Sequence, residues 1–208
     1  TFGKFVFTLE ALEPIEVPQF KGSMLRGVMG HQLRKAVCIT KKPTCEGCPY
    51  LHTCIYAYFY ETLPPQDTRL MRKYHNAPHP YIFELEETSV EHRLIMPGEI
   101  SPFTLILIGK AVDFIPHLIY AFEESGKTGM GKNRGKFYLR QVESVTPEGQ
   151  KIPLYQGRFV DKPQPLFHWQ FSLASTPTRE VEVILETPMR LKNDGKLTNT
   201  IGFATLLR

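Results

Sequence analysis

The chain has 208 residues, 42% of them apolar and 22% charged, with a net charge of +4. That is the make-up of a globular protein with a real core, not of a disordered polyelectrolyte, and its mild basicity suits a polyanion partner without requiring one. No apolar run approaches the roughly 18 residues of a membrane span, and Thr1–Phe5 lacks the basic-then-apolar order of an export signal.

In chain order, Phe5 to Glu13 alternates around Phe5, Phe7, Leu9 and Ala11, the period of a half-buried strand. Pro14 and Pro18 break it. A helix follows, with Ser23 as a cap and Leu25, Met29, Leu33, Ala36 and Val37 on one face. A cysteine-rich loop and an aromatic run, Ile55 to Tyr60, lead into a Pro- and charge-rich connection from Leu63 to Pro80. Tyr81 to Leu85 reads as a strand, as does Phe103 to Ile108, entered through Met96-Pro97-Gly98-Glu99. Val112 to Glu124 reads as a helix in which Pro116 is tolerable only near the first turn. A glycine-rich loop then precedes a strand through Phe137, Leu139 and Val142.

The order β-α-β-β-α-β is that of the split βαβ, or ferredoxin-like (RRM-like), unit, with two helices on one face of an antiparallel sheet. The expected architecture is therefore α+β: a ferredoxin-like domain over residues 1–146 with a cysteine-rich insertion at 38–60. A linker or hairpin at 147–166 holds four prolines, and the start of a second such domain occupies 167–208. Phe167–Leu173 and Val181–Glu186 are its expected strands, and Thr187–Asp194 and Phe203–Leu207 open its next elements. With no initiator methionine and a last segment that reads as a helix cut short, the natural chain is expected to be longer at both ends.

The four cysteines, Cys38, Cys45, Cys48 and Cys54, are spaced C-x6-C-x2-C-x5-C. Thiolates this close favour one tetrahedral soft ion, with zinc as the default. An iron–sulfur cluster is the less favoured alternative. His52 is a substitute ligand, and free thiols or two disulfides remain open, the disulfides disfavoured in a cytoplasmic chain. The site reads as structural, pinning the insertion; nothing near it suggests a catalytic metal.

His31 falls almost opposite the Leu25–Met29–Leu33 face at 100° per residue, on the side of Gly27, Arg34 and Lys35. Glycines inside a helix cost about 1 kcal/mol each relative to alanine, so Gly27 and Gly30 suggest the close approach of another backbone or of RNA. An exposed imidazole among cations suits metal-independent RNA cleavage: the base takes the ribose 2′-hydroxyl proton, and Arg or Lys stabilises the phosphorane-like transition state. A solvent-facing histidine with no task explains the helix equally well.

Lys127, Lys132, Arg134, Lys136 and Arg140 cluster with no acid between them. In the loop Gly126 to Lys136, Gly129 and Gly131 alternate with cations and Asn133, a pattern that lets backbone and side chains meet a phosphate backbone. A P-loop is rejected, because this loop follows a helix and Lys132 precedes Asn133 rather than Ser or Thr. A helix C-cap with a flexible turn, or a solvated basic turn, is the plainer reading.

Phe20-Lys21-Gly22-Ser23, Leu25-Arg26-Gly27, Gly30-His31, the insertion ending in Cys48-Pro49-Tyr50 and Cys54, Met130 to Phe137, and Thr187 to Lys192 together resemble, in this order, the CRISPR-associated RAMP endoribonucleases that process precursor crRNA. The resemblance covers most of the chain. It implies two tandem ferredoxin-like domains with CRISPR repeat RNA along their cleft. Cleavage within the repeat would need no catalytic metal and would leave a 2′,3′-cyclic phosphate and a 5′-hydroxyl. It implies His31 as general base, with Lys21, Arg26, Arg34, Lys35 and the loop residues Lys127, Gly129, Gly131, Lys132, Asn133, Arg134 and Lys136 at RNA or phosphate. The family's hallmark glycine-rich loop lies late in the second domain, beyond this sequence. The loop at 126–136 would be its first-domain counterpart, and weak binding or inactivity is expected of this length of chain. Two alternatives stay open: a non-catalytic RAMP subunit holding crRNA among other CRISPR-associated proteins, and a zinc-stabilised RNA-binding or interaction module. A cytoplasmic location and no membrane partner are expected under each.

Overall fold

The computed structural model describes residues 1–18, 21–64, 77–85 and 93–160, together with 182, 192–193, 196–197 and 202. The chain is α+β, and the strand pairs described are all antiparallel. Strand β1 (Phe2–Ala11) buries every second residue, as its alternation requires. A short strand β2 (Ile15–Val17) lies between the two prolines that were expected only to break the chain. Helix α1 (Lys21–Val37) starts two residues ahead of Ser23. The aromatic run forms helix α2 (Ile55–Tyr60). Strands β3 (Tyr81–Glu84), β4 (Arg93–Ile95) and β5 (Ile100–Ile108) follow.

A 3-10 turn over Gly109–Phe114 leads into helix α3 (Ile115–Thr128), whose Pro116 sits in the first turn, where its missing N–H costs nothing. Strand β6 (Phe137–Val145) then pairs with β7 (Lys151–Tyr155), which lies inside the stretch expected as a linker or hairpin; residues 161–166 of that stretch lie outside the described residues. The main sheet runs β3-β5-β1-β6-β7, and β2 pairs separately with β4. Phe5, Phe7 and Leu9 of β1, Leu105 and Leu107 of β5, and Leu139 of β6 meet Met29 and Leu33 of α1 and Leu118 and Phe122 of α3 in one core. Each such large side chain removed from water contributes about 1.5–3 kcal/mol. The inward row of α1 runs on to Val37, which packs partly buried against the core, whereas Ala36 is exposed.

Polar contacts fix the two long helices against each other. The buried Gln32 amide donates to Thr128 Oγ1 at 2.9 Å, and Ser125 Oγ lies 3.4 Å from the Val28 carbonyl. The start of the glycine-rich loop therefore sits beside the middle of α1.

The chain divides into two compact units, Thr1–Phe171 and Ser172–Arg208. In the second, strands β8 (Lys192–Asn193) and β9 (Lys196–Leu197) form a hairpin. The strands expected at 167–173 and 181–186, Glu182 apart, and the segment at 203–207 lie outside the described residues.

Candidate functional site

Helix α1 carries five of the expected site residues, Lys21, Arg26, His31, Arg34 and Lys35. His31 and Lys35 are exposed, and neither makes a hydrogen bond or ion pair among the described residues. One turn before His31, Gly27 is exposed too, and among the described residues nothing comes within 4 Å of where its Cβ would stand. This glycine has no packing reason within the described chain. Gly30 has one: a Cβ there would fall 2.5 Å from the Tyr60 ring. Tyr60 lies across the helix at that point and donates its hydroxyl to the Arg26 carbonyl at 2.7 Å. Its burial drives the phenol well above the ordinary tyrosine range.

The two arginines of this helix are occupied. Arg26 contacts His79 Nε2 at 2.8 Å, and its guanidinium lies 5.9 Å from the Tyr60 ring centre. Since His79 Nδ1 is 3.0 Å from the Phe59 carbonyl, which only accepts, the imidazole donates from Nδ1 and accepts the Arg26 proton at Nε2. Arg34 donates to the carbonyls of Lys42 at 2.6 Å and Pro43 at 2.7 Å, and sits 5.3 Å from the Tyr56 ring centre. It therefore ties α1 to the cysteine loop. Lys21 opens the helix and lines a cavity of about 170 Å³ with Met24, Leu85, Ile95, Phe103 and Met130.

The basic loop is less bare than its sequence suggests. Lys127 pairs with Glu124, which raises its pKa through their hydrogen bond. Lys132 reaches Glu16 at 3.4 Å, Lys136 reaches Glu13 at 3.4 Å, and Arg140 reaches Glu10 at 3.3 Å. Arg134 is exposed without a partner among the described residues and holds a left-handed φ of 53°. Asn133 accepts the Glu16 N–H at 2.9 Å and donates to the Pro14 carbonyl at 2.6 Å. A Cβ on Gly131 would stand 2.5 Å from the Glu16 carbonyl oxygen, and one on Gly129 would stand 2.0 Å from that of Arg134. The close backbone approach that these glycines permit is to the protein's own chain, at β2 for Gly131 and within the loop itself for Gly129. Gly129, with φ of 82°, is also the C-cap of α3, as the plainer sequence reading had it.

All four cysteines are free thiols, half-buried, and line one cavity of about 210 Å³ with Val37, Thr40 and Tyr56. Cys38 follows the end of α1, Cys45 and Cys48 flank a turn closed by Cys48 N–H to the Cys45 carbonyl at 3.1 Å, and Cys54 caps α2. Thr40 Oγ1 stands between Cys38 Sγ at 3.8 Å and Cys48 Sγ at 3.9 Å. That hydroxyl holds the Cys38 thiol below its ordinary range, while burial pushes Cys45 up to about 11, with Glu61 beside it adding to the shift. His52 is exposed and does not line the cavity. Among the described residues, no three His, Cys, Asp or Glu side chains already stand close enough together to share an ion.

Sequence reasoning missed His79, Tyr60 and Thr40. Only Gly30 signalled any of them, as a helix glycine that needs a neighbour.

A family model described as an N-terminal domain, AF_1859_N, matches residues 1–165. The chain belongs to this family. All four cysteines, His31 and the glycine-rich loop fall inside the matched stretch. The chain is also 29% identical over 184 residues to an uncharacterized protein of Archaeoglobus fulgidus, an alignment covering 85% of this chain and 57% of that protein. It thus spans a little over half the length of that relative. Among the described residues, no helix is long and apolar enough to cross a membrane.

Proposed function

We propose that this chain is part of an RNA-binding endoribonuclease of the CRISPR-associated RAMP superfamily, built on a ferredoxin-like unit with a cysteine-rich insertion. For the fold, the support is the order β3-β5-β1-β6, with α1 after β1 and α3 after β5. For the activity, one observation carries the reading. His31 stands on the open side of α1, one turn from a glycine that no described residue approaches and one turn from Lys35.

In this reading Gly27 thins the helix surface so that a ribose–phosphate unit reaches the imidazole. His31 takes the proton of the 2′-hydroxyl, the 2′-oxygen bonds to phosphorus, and the bond to the 5′-oxygen breaks. The departing 5′-oxygen takes up a proton, leaving a 2′,3′-cyclic phosphate and a 5′-hydroxyl. Lys35 and Arg134 are the cations best placed to meet phosphate, having no partner among the described residues. Lys132 and Lys136 would first have to leave Glu16 and Glu13. The partner is CRISPR repeat RNA, and the compartment this implies is the cytoplasm.

The test uses the full-length protein with repeat RNA from its own locus, in EDTA. Cleavage to cyclic-phosphate ends should fall by 100-fold or more in His31→Ala, about the general-base contribution of 10²–10⁴, while RNA binding persists. Unchanged cleavage in His31→Ala removes the nuclease reading. A second reading, a non-catalytic subunit holding crRNA beside other CRISPR-associated proteins, is favoured by the engagement of Arg26 and Arg34, which leaves the helix short of arginines for a transition state. Tight binding without cleavage by the wild-type protein would select it.

A further inference from the structure

We propose that Cys38, Cys45, Cys48 and Cys54 bind one zinc-class ion through four thiolates, and that the ion fixes the seat of α2 on α1 beneath the His31 face. The geometry points there from three sides. Four free thiols from four places in the loop all line one cavity of about 210 Å³. The Cys45–Cys48 turn, with Gly47 at a left-handed φ of 63° and its closing hydrogen bond at 3.1 Å, sets two of them on one tight bend. The loop's own fold is spare: its chain is held by such turns and by Arg34, and it contributes no strand. A loop of this length with so little regular structure gains its stability from a cross-link, and the cysteines are not joined in disulfides. Ion binding would draw the thiols in from the lining of that cavity, where no three yet stand within ligating reach among the described residues, to sulfur–metal distances of about 2.3 Å.

Four thiolates on a divalent ion carry two negative charges, and Arg34 is the cation placed to offset them. Its guanidinium is anchored to Lys42 and Pro43 inside the same loop. The ion would tie the end of α1, at Cys38, to the cap of α2, at Cys54. Helix α2 in turn lays Tyr60 on Gly30 and bonds the Arg26 carbonyl. Metal occupancy is thereby transmitted along α2 to the stretch of α1 that carries Gly27 and His31. The metal site stands or falls apart from any nuclease activity.

Elemental analysis of full-length protein purified under reducing conditions should find about one zinc per chain, and roughly one equivalent should be released when a mercurial reagent titrates the thiols. Replacement by cobalt should give the visible bands of a tetrahedral thiolate site. Chelation should raise amide exchange at 26–34 and 55–60 as well as in the loop itself. Substoichiometric metal with four freely reactive thiols overturns the site, and so does iron with inorganic sulfide. Exchange that rises only between 38 and 54 overturns the link to α1 while leaving the site. Because these readings come from the wild-type chain, no variant that fails to fold can obscure them.

Discussion

Two glycines three residues apart on α1 answer to different neighbours. Gly30 is filled by the Tyr60 ring, which is held by its hydrogen bond to Arg26 and stacked on Tyr56 with ring centres 5.0 Å apart. Gly30→Ala should therefore destabilise the fold, by about 1–3 kcal/mol for overpacking less the ~1 kcal/mol gained in helix propensity. Gly27→Ala meets nothing and should stabilise the fold by up to ~1 kcal/mol. Denaturant unfolding of both variants checks the pair. If Gly27 serves RNA, the same variant should lose RNA affinity while gaining stability; a gain in both would leave the glycine without a task. The contrast was illegible in the sequence, where both residues are glycines at helical spacing. His31 was legible, because 100° per residue decides a helix face without knowledge of the fold. Arg34 and Arg26 were not, because their partners are loop carbonyls and a histidine from beyond the cysteine loop.

At the scale of elements, the glycine-rich loop and the β1–β2 corner form one joint. Asn133 supplies both an acceptor and a donor to the backbone of residues 14–16, and the Lys132 N–H adds a bond to the Glu16 carbonyl at 3.1 Å. Met130 is buried beneath. Asn133→Ala removes two hydrogen bonds and should cost about 1–3 kcal/mol, measurable as an earlier chemical unfolding midpoint with an unchanged slope. A loop that serves only as an exposed phosphate cradle would show no loss of stability. The long strands and both long helices were readable from their periods, to within a few residues at the ends. Strand β2 was not, being three residues between prolines whose partner, β4, lies far along the chain. The acids that answer the loop's cations were hidden for the same reason: Glu10, Glu13 and Glu16 precede the loop by more than a hundred positions.

Across the whole molecule the buried phenols set the alkaline limit. Burial raises Tyr155 to about 12, with the Glu123 carboxylate adding to it, and also raises Tyr56, Tyr58, Tyr60 and Tyr81. A phenol harder to ionise in the folded chain leaves stability whole below its ordinary value of 10 and withdraws it as pH climbs through the folded value. For Tyr155 the window is 10 to about 12. Phenolate absorbance should therefore rise in two stages, the later one coincident with loss of structure, and Tyr155→Phe should move that loss to higher pH. One stage near 10, with the fold intact, would contradict it. At this scale the α+β class was legible from patterning, and the prolines of 147–166 fall shortly before the division into units at Phe171 and Ser172.

The carboxylates that hold Lys132, Lys136 and Arg140 have a bearing on how any polyanion would be weighed by this surface. Each of these cations already has a resident counter-charge in an exposed, solvent-screened pair, so a phosphate replaces a glutamate more than it adds a contact. The steepness of affinity with ionic strength counts net charge neutralised, and it would register such an exchange only in part. A shallow salt slope would then be compatible with an extensive phosphate footprint.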